Sequence, residues 1–466
     1  MSFLWTDREV RLALGLSLDH AAEGVTYSGI CTDSRTVEEG SLFVALAGER
    51  FDGHDFVAGA LARGAVGAVV SRDAGWEAES PVYMVPDTLG ALGSLARHRG
   101  KALMATVVGI TGSSGKTTTK DFLKGALAGS FRVHATAGNL NNRIGLPLSV
   151  LAAPSDSQVL VLEMGTNEPG EIGSLAAIAR PHVGVITTVS ETHLEKLGSL
   201  EGILEEKLDL FRALPAQGLA VVGDDPPALE EWARPVVEGL GARLLVAGWS
   251  HRAFPELRPR DAEETGGGRF RFLWEGERVQ LQVPGRHSVQ NALLALAVAG
   301  ALGAPPREAA RGVGAVRPGR MRSEIRELGG LTLLVDCYNA NPQSVRAALD
   351  LLAGFRQAPR RVAVLGSMLE LGERTASLHR EVLENALSLP LDLLVVTGLF
   401  LEAAEGVERA AAGPELVPAQ DLEAAREVLT ERLKGDEAVL LKASRGVAME
   451  ALVPALEARF GPGRGD

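Results

Sequence analysis

The chain has 466 residues, with 47 Lys and Arg against 59 Asp and Glu, and so a formal charge of −12. At about 150 residues per domain this length predicts roughly three domains, and 46% hydrophobic with 23% charged residues excludes a disordered or fibrous chain. The acidic balance argues against a general binder of nucleic acid or of an anionic membrane, while leaving room for a local positive site that takes a phosphate.

In chain order, the N-terminal MSFLWTDREV lacks a basic region leading into an apolar core, so no signal peptide is expected. Residues 1–101 mix short β-like runs (GSLFVAL, GAVGAVV, PVYMV) with turns and short helical stretches. From Ala102 the pattern becomes strand, loop, helix, repeated: MATVVGIT, TTTKDFLKGALA, VLVLEMG, GEIGSLAAIA, VGVITTV and SLEGILEEKLDLFRAL. Such alternation predicts parallel βαβ units. GGGRFRFLWEGERVQLQVPG reads as a hairpin-like strand pair, followed by a helix over Ser288 to Leu302. The apolar run Ala292 to Ala304 has 13 residues, too few to cross about 30 Å of hydrocarbon. Arg317-Pro318-Gly319-Arg320 suits a hinge, and alternation resumes in LTLLVDCYN, RRVAVLGSM, LDLLVVTG and EAVLLKAS. The expectation is an α/β protein of three domains, 1–101, 102–316 and 317–466. Cys31 and Cys337 make no disulfide framework, which fits a reducing cytoplasm.

VVGITGSSGKTTTK, residues 107–120, joins a β-like run to a helix through a Gly/Ser turn. Backbone N–H groups of Gly112, Ser113, Ser114 and Gly115 are placed to cradle phosphate oxygens at the helix start. Lys116 would then reach the terminal phosphates, and the hydroxyls of Thr117 and Thr118 follow, that of Thr117 suited to Mg²⁺. The strict eight-residue pattern wants glycine at position 110, where this chain has Ile110. A phosphate loop alone leaves a motor ATPase, a GTPase, a small-molecule kinase and an ATP-driven ligase open; no Asn-Lys-x-Asp segment favours the GTPase. Glu163 ends a strand-like run, where ligands of parallel sheets collect, and His193 follows another. Lys207 lies on a helix. Only eight residues are lysine against 39 arginines, so a retained lysine is mildly enriched for work a guanidinium cannot do.

TGSSGKTTTK, ATAGNLNNRIGLPLSVL, LEMGTNEPGEIG, THLEKLGS with EEKLDLF, PGRHSVQNALLALA, RPGRM, DCYNANPQS, LGSMLELGE and LKASRG, taken in this order, resemble the Mur ligases, ATP-dependent amide-bond ligases of cell-wall peptide synthesis. DCYNANP, and the lack of an Asp-Asn-Pro-Arg segment, resemble the MurF type rather than the MurE type. The resemblance implies a P-loop ATPase-like central parallel sheet, a Rossmann-like α/β C-terminal domain and a smaller N-terminal α/β domain. It also implies ATP, D-alanyl-D-alanine and a UDP-N-acetylmuramoyl-tripeptide as substrates, joined through an acyl phosphate, with no nucleic-acid partner, no membrane insertion and a monomeric state.

By the same resemblance, Lys116 and Thr117 handle ATP phosphates and Mg²⁺, Glu163 and His193 are further metal ligands, and Lys207 is the lysine that the family carbamylates with CO₂. His287 and Asn291 would read adenine and ribose, with Ser288 departing from a commoner asparagine. Arg320 and Asp336 would close over phosphate and ribose. Ser34, Arg35, Gly48 and His54 would bind UDP, and Thr136, Asn139 and Asn142 the muramoyl part. Asn339, Asn341, Lys442, Ser444 and Arg445 would surround the dipeptide or a substrate carboxylate. His379 reads as a helix-packing residue, and no general base stands out. A ligase adding another amino acid, a folate-polyglutamate-type ligase and a nucleotide-binding regulator without ligase activity are the competing readings.

Overall fold

The computed structural model describes residues 3–48, 51–72, 80–407 and 413–461. Glu49 and Arg50, inside the FVALAGERFDGHDF segment, lie outside the described residues.

The N-terminal unit begins with a two-stranded antiparallel pair, Trp5–Thr6 with Thr26–Tyr27. Helix Asp7–Leu14 starts on a reciprocal cap, the Thr6 hydroxyl accepting from Glu9 N–H while the Glu9 carboxylate accepts from Thr6 N–H. Four short parallel strands follow, Ile30–Cys31, Leu42–Val44, Gly67–Val70 and Val82–Met84, in that spatial order. Beneath them Asp7, fully buried, accepts from Ala22 N–H at 2.9 Å, from Arg11 Nε at 2.9 Å and from the Tyr83 hydroxyl, which also meets Tyr27. Helix Thr88–Leu103 ends the unit, runs through the expected boundary at 101, and packs on helices Gly145–Leu151 and Glu171–Ala179 of the next.

The central sheet has six strands, all parallel, in the order Arg243–Ala247, Leu219–Gly223, Val183–Ile186, Thr106–Thr111, Val159–Glu163, Val133–Ala135. Both faces are covered, so the strands read as near-continuous apolar runs rather than alternating ones. On one face Val108, Ile110, Val161 and Val185 pack against helices Lys116–Leu127 and Arg286–Ala301. On the other, Leu160, Leu162 and Ile186 meet Ile172, Leu175, Leu208 and Phe211. Ile110 explains its departure from the loop pattern here: it is a strand residue, fully buried, with its side chain in the core. The long apolar run is equally accounted for, since Ala292 to Ala299 are buried on every side. No described helix is long and apolar enough to cross a membrane. The hairpin reading is partly corrected: Arg269–Trp274 and Glu277–Gln280 pair as expected, but Arg260–Gly266 adds a third antiparallel strand. Its polar, mostly exposed sequence carried no strand signal.

After helix Pro306–Gly314, the tetrapeptide at 317–320 leads into a third sheet. Its order is Glu324–Leu328, Leu331–Asp336, Ala438–Lys442, Arg361–Leu365, Leu393–Val396, Glu415–Pro418, parallel except for the first edge strand. Asp336 and Lys442 end neighbouring strands in register.

Asp7→Ala should unlock the N-terminal unit by leaving the buried Tyr83 hydroxyl, Ala22 N–H and Arg11 without their acceptor, at a cost of about 3 kcal/mol. Amide exchange across residues 26–27 and 82–84, measured by mass spectrometry, should quicken accordingly. Hydrogen bonds from Tyr83, Ala22 and Arg11 outweigh the upward push of burial and hold the Asp7 carboxyl below its ordinary value of 3.8. Its stabilisation is therefore present above that value and lost as pH falls through the lower, folded one, an acid sensitivity that Asp7→Ala should remove.

Candidate active site

The phosphate loop is built from glycines that could not be anything else and serines that fasten it. Gly112 has φ 148°, and a Cβ there would stand 1.9 Å from Thr187 Oγ1; Gly115 has φ 80°, and a Cβ there would stand 2.5 Å from Asn291 Oδ1. The Ser113 hydroxyl donates to Ser190 O at 3.0 Å and accepts from Ser190 N–H at 2.9 Å, and Thr187 Oγ1 donates to Ser114 O at 2.5 Å. The loop is thus tied to the end of the adjacent strand. No side chain caps helix Lys116–Leu127, leaving its first N–H groups and positive end directed at the loop. Lys116 Nζ lies folded over the loop, donating to Gly112 O at 2.6 Å. Thr117 and Thr118 follow on the first turn, half-buried.

Beside the loop, three charged groups share a dry corner. Glu163 is 2% exposed; Oε1 accepts from Asn141 Nδ2 at 2.9 Å, and Oε2 is buried without a hydrogen-bond partner. A buried, unpaired carboxylate oxygen calls for a cation. Lys207, 1% exposed, sits on helix Leu200–Arg212. Burial, with the Lys116 charge adding and Glu206 opposing, pushes its ammonium down to about 7. Burial also lowers Lys116, opposed by Glu163 and assisted by Arg322. Lys207 is therefore an amine that is substantially uncharged near neutrality. Its neighbour Glu206 turns the other way, accepting from Gly170 N–H at 2.6 Å and Ile172 N–H at 2.8 Å, which fixes the helix that carries Lys207.

The third sheet reaches this corner with its carboxyl edge. Asn341 Nδ2 donates to Ser114 Oγ at 3.0 Å, while Asn341 Oδ1 caps helix Pro342–Ala353 by accepting from Ser344 N–H at 2.8 Å. Gln343 meets Thr188 Oγ1 at 3.0 Å. Lys442, 2% exposed, forms an ion pair with Asp336 at 3.0 Å and donates to Asn339 O at 2.8 Å. His287 is exposed to solvent and lies within electrostatic reach of Asp336 and Lys442. His193 Nδ1 meets Glu370 Oε2 of the third sheet's loop. Arg320 is exposed at the opening, and Arg322 stacks on Tyr338 at 3.8 Å.

The structure thus brings Lys116, Glu163, Lys207, Thr136, Asn291 and Asn341 together at the loop, sets Asp336, Lys442 and His287 within electrostatic reach of one another, and joins His193 to Glu370 of the third sheet's loop. Thr136 contributes through Oγ1, which accepts from Glu163 N–H at 3.0 Å. Other expected site residues take structural positions. Ser288 is fully buried and bonds Pro284 O at 2.7 Å. Asn142 caps the next helix by accepting from Gly145 N–H at 2.8 Å, and Asn139 is exposed. Ser444, 3% exposed, accepts from Leu369 N–H at 3.0 Å, and Arg445 pairs with Glu450. His379 is fully buried and packs on Phe400, as its helix position implied. In the N-terminal unit Arg35 pairs with Asp33 at 2.7 Å and Ser34 is half-buried beside it. Gly48 N–H donates to Phe51 O at 2.9 Å. His54, only 2% exposed, joins Asp52 at 2.5 Å to Ser71 N–H at 2.9 Å, so it shapes that loop from beneath. Sequence reasoning passed over Asn141, Gln343, Arg322 and Glu370. Each lies within or beside a motif already singled out, but its neighbours offered equally plausible polar groups.

Among the described residues no three His, Cys, Asp or Glu side chains form a ready-made metal cage. The buried Glu163 carboxylate with one unpaired oxygen fits Mg²⁺, which keeps waters and is held by one or two carboxylates together with substrate phosphates.

Comparison with known proteins agrees in all three parts of the chain. The Mur ligase family catalytic domain matches residues 26–99, the Mur ligase middle domain 110–299, and the Mur ligase glutamate ligase domain 319–445. The UDP-N-acetylmuramoyl-tripeptide--D-alanyl-D-alanine ligase of Bacillus subtilis is 35% identical over 438 residues, covering 92% of this chain and 93% of that protein. A crystal structure of MurF from Acinetobacter baumannii superposes with a TM-score of 0.87 at 31% identity, covering 98% of this chain and 99% of the other. MurF ligase from Thermotoga maritima, in complex with ADP, gives 0.81 at 30% identity over 93% and 97% of the two chains. Matched from its first sheet to its last, and with a phosphate loop, buried carboxylate and buried lysine at one opening, the chain belongs to the Mur ligase family.

Proposed function

We propose that the chain is an ATP-dependent ligase that forms the amide bond between D-alanyl-D-alanine and a UDP-N-acetylmuramoyl-tripeptide in peptidoglycan precursor synthesis. The observation that carries this reading is the convergence of Lys116, Glu163 and Lys207 beside a loop already touched by Asn341 of the third sheet. The printed activity of the 35% identical relative supplies the substrates, and the ADP complex of the similar structure supplies the nucleotide.

At neutral pH the tripeptide carboxylate repels nucleophiles and lacks a leaving group. Transfer of the γ-phosphoryl of ATP to a carboxylate oxygen releases ADP and makes an acyl phosphate. The dipeptide amine then attacks the acyl carbon, and the tetrahedral intermediate collapses to the amide with loss of phosphate and a proton. Positioning and charge neutralisation carry such a transfer. Lys116 and the loop N–H groups hold the phosphates, Arg320 approaches them from the third domain, and His287, Asn291 and Asp336 hold the nucleoside. The unpaired Glu163 oxygen, the Thr117 hydroxyl and His193 fit a hard divalent cation, and Mg²⁺ when bound would neutralise phosphate charge there. Lys207 as a neutral amine adds to CO₂, forming a carbamate and releasing a proton, which converts a buried near-cation into an oxygen ligand. The N-terminal unit, 1–101, takes UDP through Ser34, Arg35 and Gly48, with His54 behind them. The central unit, 102–316, takes ATP, and 317–466 brings the dipeptide past Asn339, Lys442, Ser444 and Arg445. Closure at 317–320 excludes water from the acyl phosphate. Nucleotide-linked substrates support a cytoplasmic reaction, and three units for three substrates suit a monomer.

ATP-dependent phosphate release with the UDP-tripeptide should require D-alanyl-D-alanine; release with a single amino acid in its place would overturn the assignment. Lys207→Ala should lower turnover about 100-fold or more, with partial recovery on adding short-chain carboxylic acids. Lys207→Arg, locked as a cation, should show neither activity nor recovery. Glu163→Gln should raise the Mg²⁺ concentration needed for half-maximal rate about 10-fold, read from a magnesium titration.

A further inference from the structure

His193 and Glu370 come from different sheets and meet through two loops that both leave ordinary backbone geometry. His193 has φ 54° and Glu370 φ 64°, the left-handed region that side-chain-bearing residues seldom enter. Around them the loops interlock. Glu195 N–H donates to Glu370 O at 3.4 Å, and Arg374 lies 3.8 Å from Glu191. Gly372, at φ 57°, comes so near that a Cβ there would stand 3.0 Å from Glu195 Cα. Within this clasp Glu370 Oε2 takes Nδ1 of His193, whose side chain is 21% exposed against 55% for the carboxylate. A contact that open to water adds little stability. Its larger effect is on the ring itself: a proton held on Nδ1 leaves Nε2 with the lone pair, the arrangement by which an outer carboxylate orients a ligating histidine.

We propose that Glu370 is the positioning residue for His193, fixing the tautomer that offers Nε2 to a divalent cation, so that the third domain helps to build a cation site otherwise made by the second. The inference rests on the reading of His193 as a metal ligand. Coupling of this kind is reciprocal: a cation bound through His193 favours the closed arrangement by the factor that closure favours the cation.

The test is binding of Mn²⁺ to the full chain in the presence of a non-hydrolysable ATP analogue, with free Mn²⁺ read by electron paramagnetic resonance. Glu370→Ala should weaken Mn²⁺ binding about 10-fold or more, and Glu370→Gln, whose amide oxygen still accepts from Nδ1, should recover most of it. Arg374→Ala cuts a neighbouring contact of the same clasp and should leave Mn²⁺ affinity unchanged. If His193→Ala weakens binding while Glu370→Ala does not, the proposal falls and the metal reading stands. Unchanged binding in His193→Ala would remove the metal reading itself. Equal weakening by Arg374→Ala and Glu370→Ala would overturn the proposal by showing that the clasp, not the carboxylate, matters.

Discussion

The site depends on one electrostatic constraint: Lys207 is held in the same dry corner as Glu163, half-buried Lys116 stands at its edge, and Glu163 has an oxygen to spare. Two ammonium groups close together in low dielectric cannot both keep full charge cheaply. Burial lowers both: Lys207 sits near 7, and Lys116 at the start of its own helix is lowered as well, against the opposing pull of Glu163. They differ in their neighbours, Lys116 facing Glu163 and the loop and Lys207 facing Glu206, so that one amine is suited to phosphate and the other to covalent modification. An arginine, locked as a cation, could not take the covalent role at Lys207.

The architecture converts that local constraint into a three-part enzyme. Parallel strands place the ends of Thr106–Thr111, Val159–Glu163 and Val183–Ile186 along one edge, where the loop, Glu163 and the approach to His193 lie side by side. The third sheet presents the same kind of edge in the opposite sense, with Asp336 and Lys442 in register. Helix Thr88–Leu103 belongs to the cores of both the first and second units, leaving no loose linker between them. Residues 315–323 separate the second sheet's last helix from the third sheet's first strand.

Much of this was legible in the residues. The glycines of the loop, the strand-end carboxylate and the βαβ alternation each have a local cause that sequence carries directly. Strand Arg260–Gly266 was not legible because its residues are polar and its pairing is supplied by a neighbour. Among the asparagines of GNLNNR, the choice between Asn139, Asn141 and Asn142 was not legible either. Only the backbone path decides which one faces Glu163 and which one caps a helix. The buried positions of His54, Ser288 and Ser444 have a similar origin, since a polar residue in a motif can serve the ligand by holding the loop that meets it. Glu370 is the opposite case, a residue inside a recognised motif whose partner lies in another sheet, 177 positions away.

Helix starts along this edge differ in what fills them. Ser199 caps Leu200–Arg212, Asn142 caps Gly145–Leu151, and Asn341 caps Pro342–Ala353. Glu206 reaches across to occupy the start of Glu171–Ala179 with a full negative charge. Helix Lys116–Leu127, preceded by Gly115, alone of these five has no side chain on its first turn's donors. An arriving polyphosphate therefore meets four helix ends that already carry a side-chain acceptor and two open ones side by side, this helix and Arg286–Ala301, which starts uncapped after Gly285. The address of the nucleotide is written by subtraction as much as by attraction, and a Glu206→Ala chain would offer phosphate a second, unproductive place to settle.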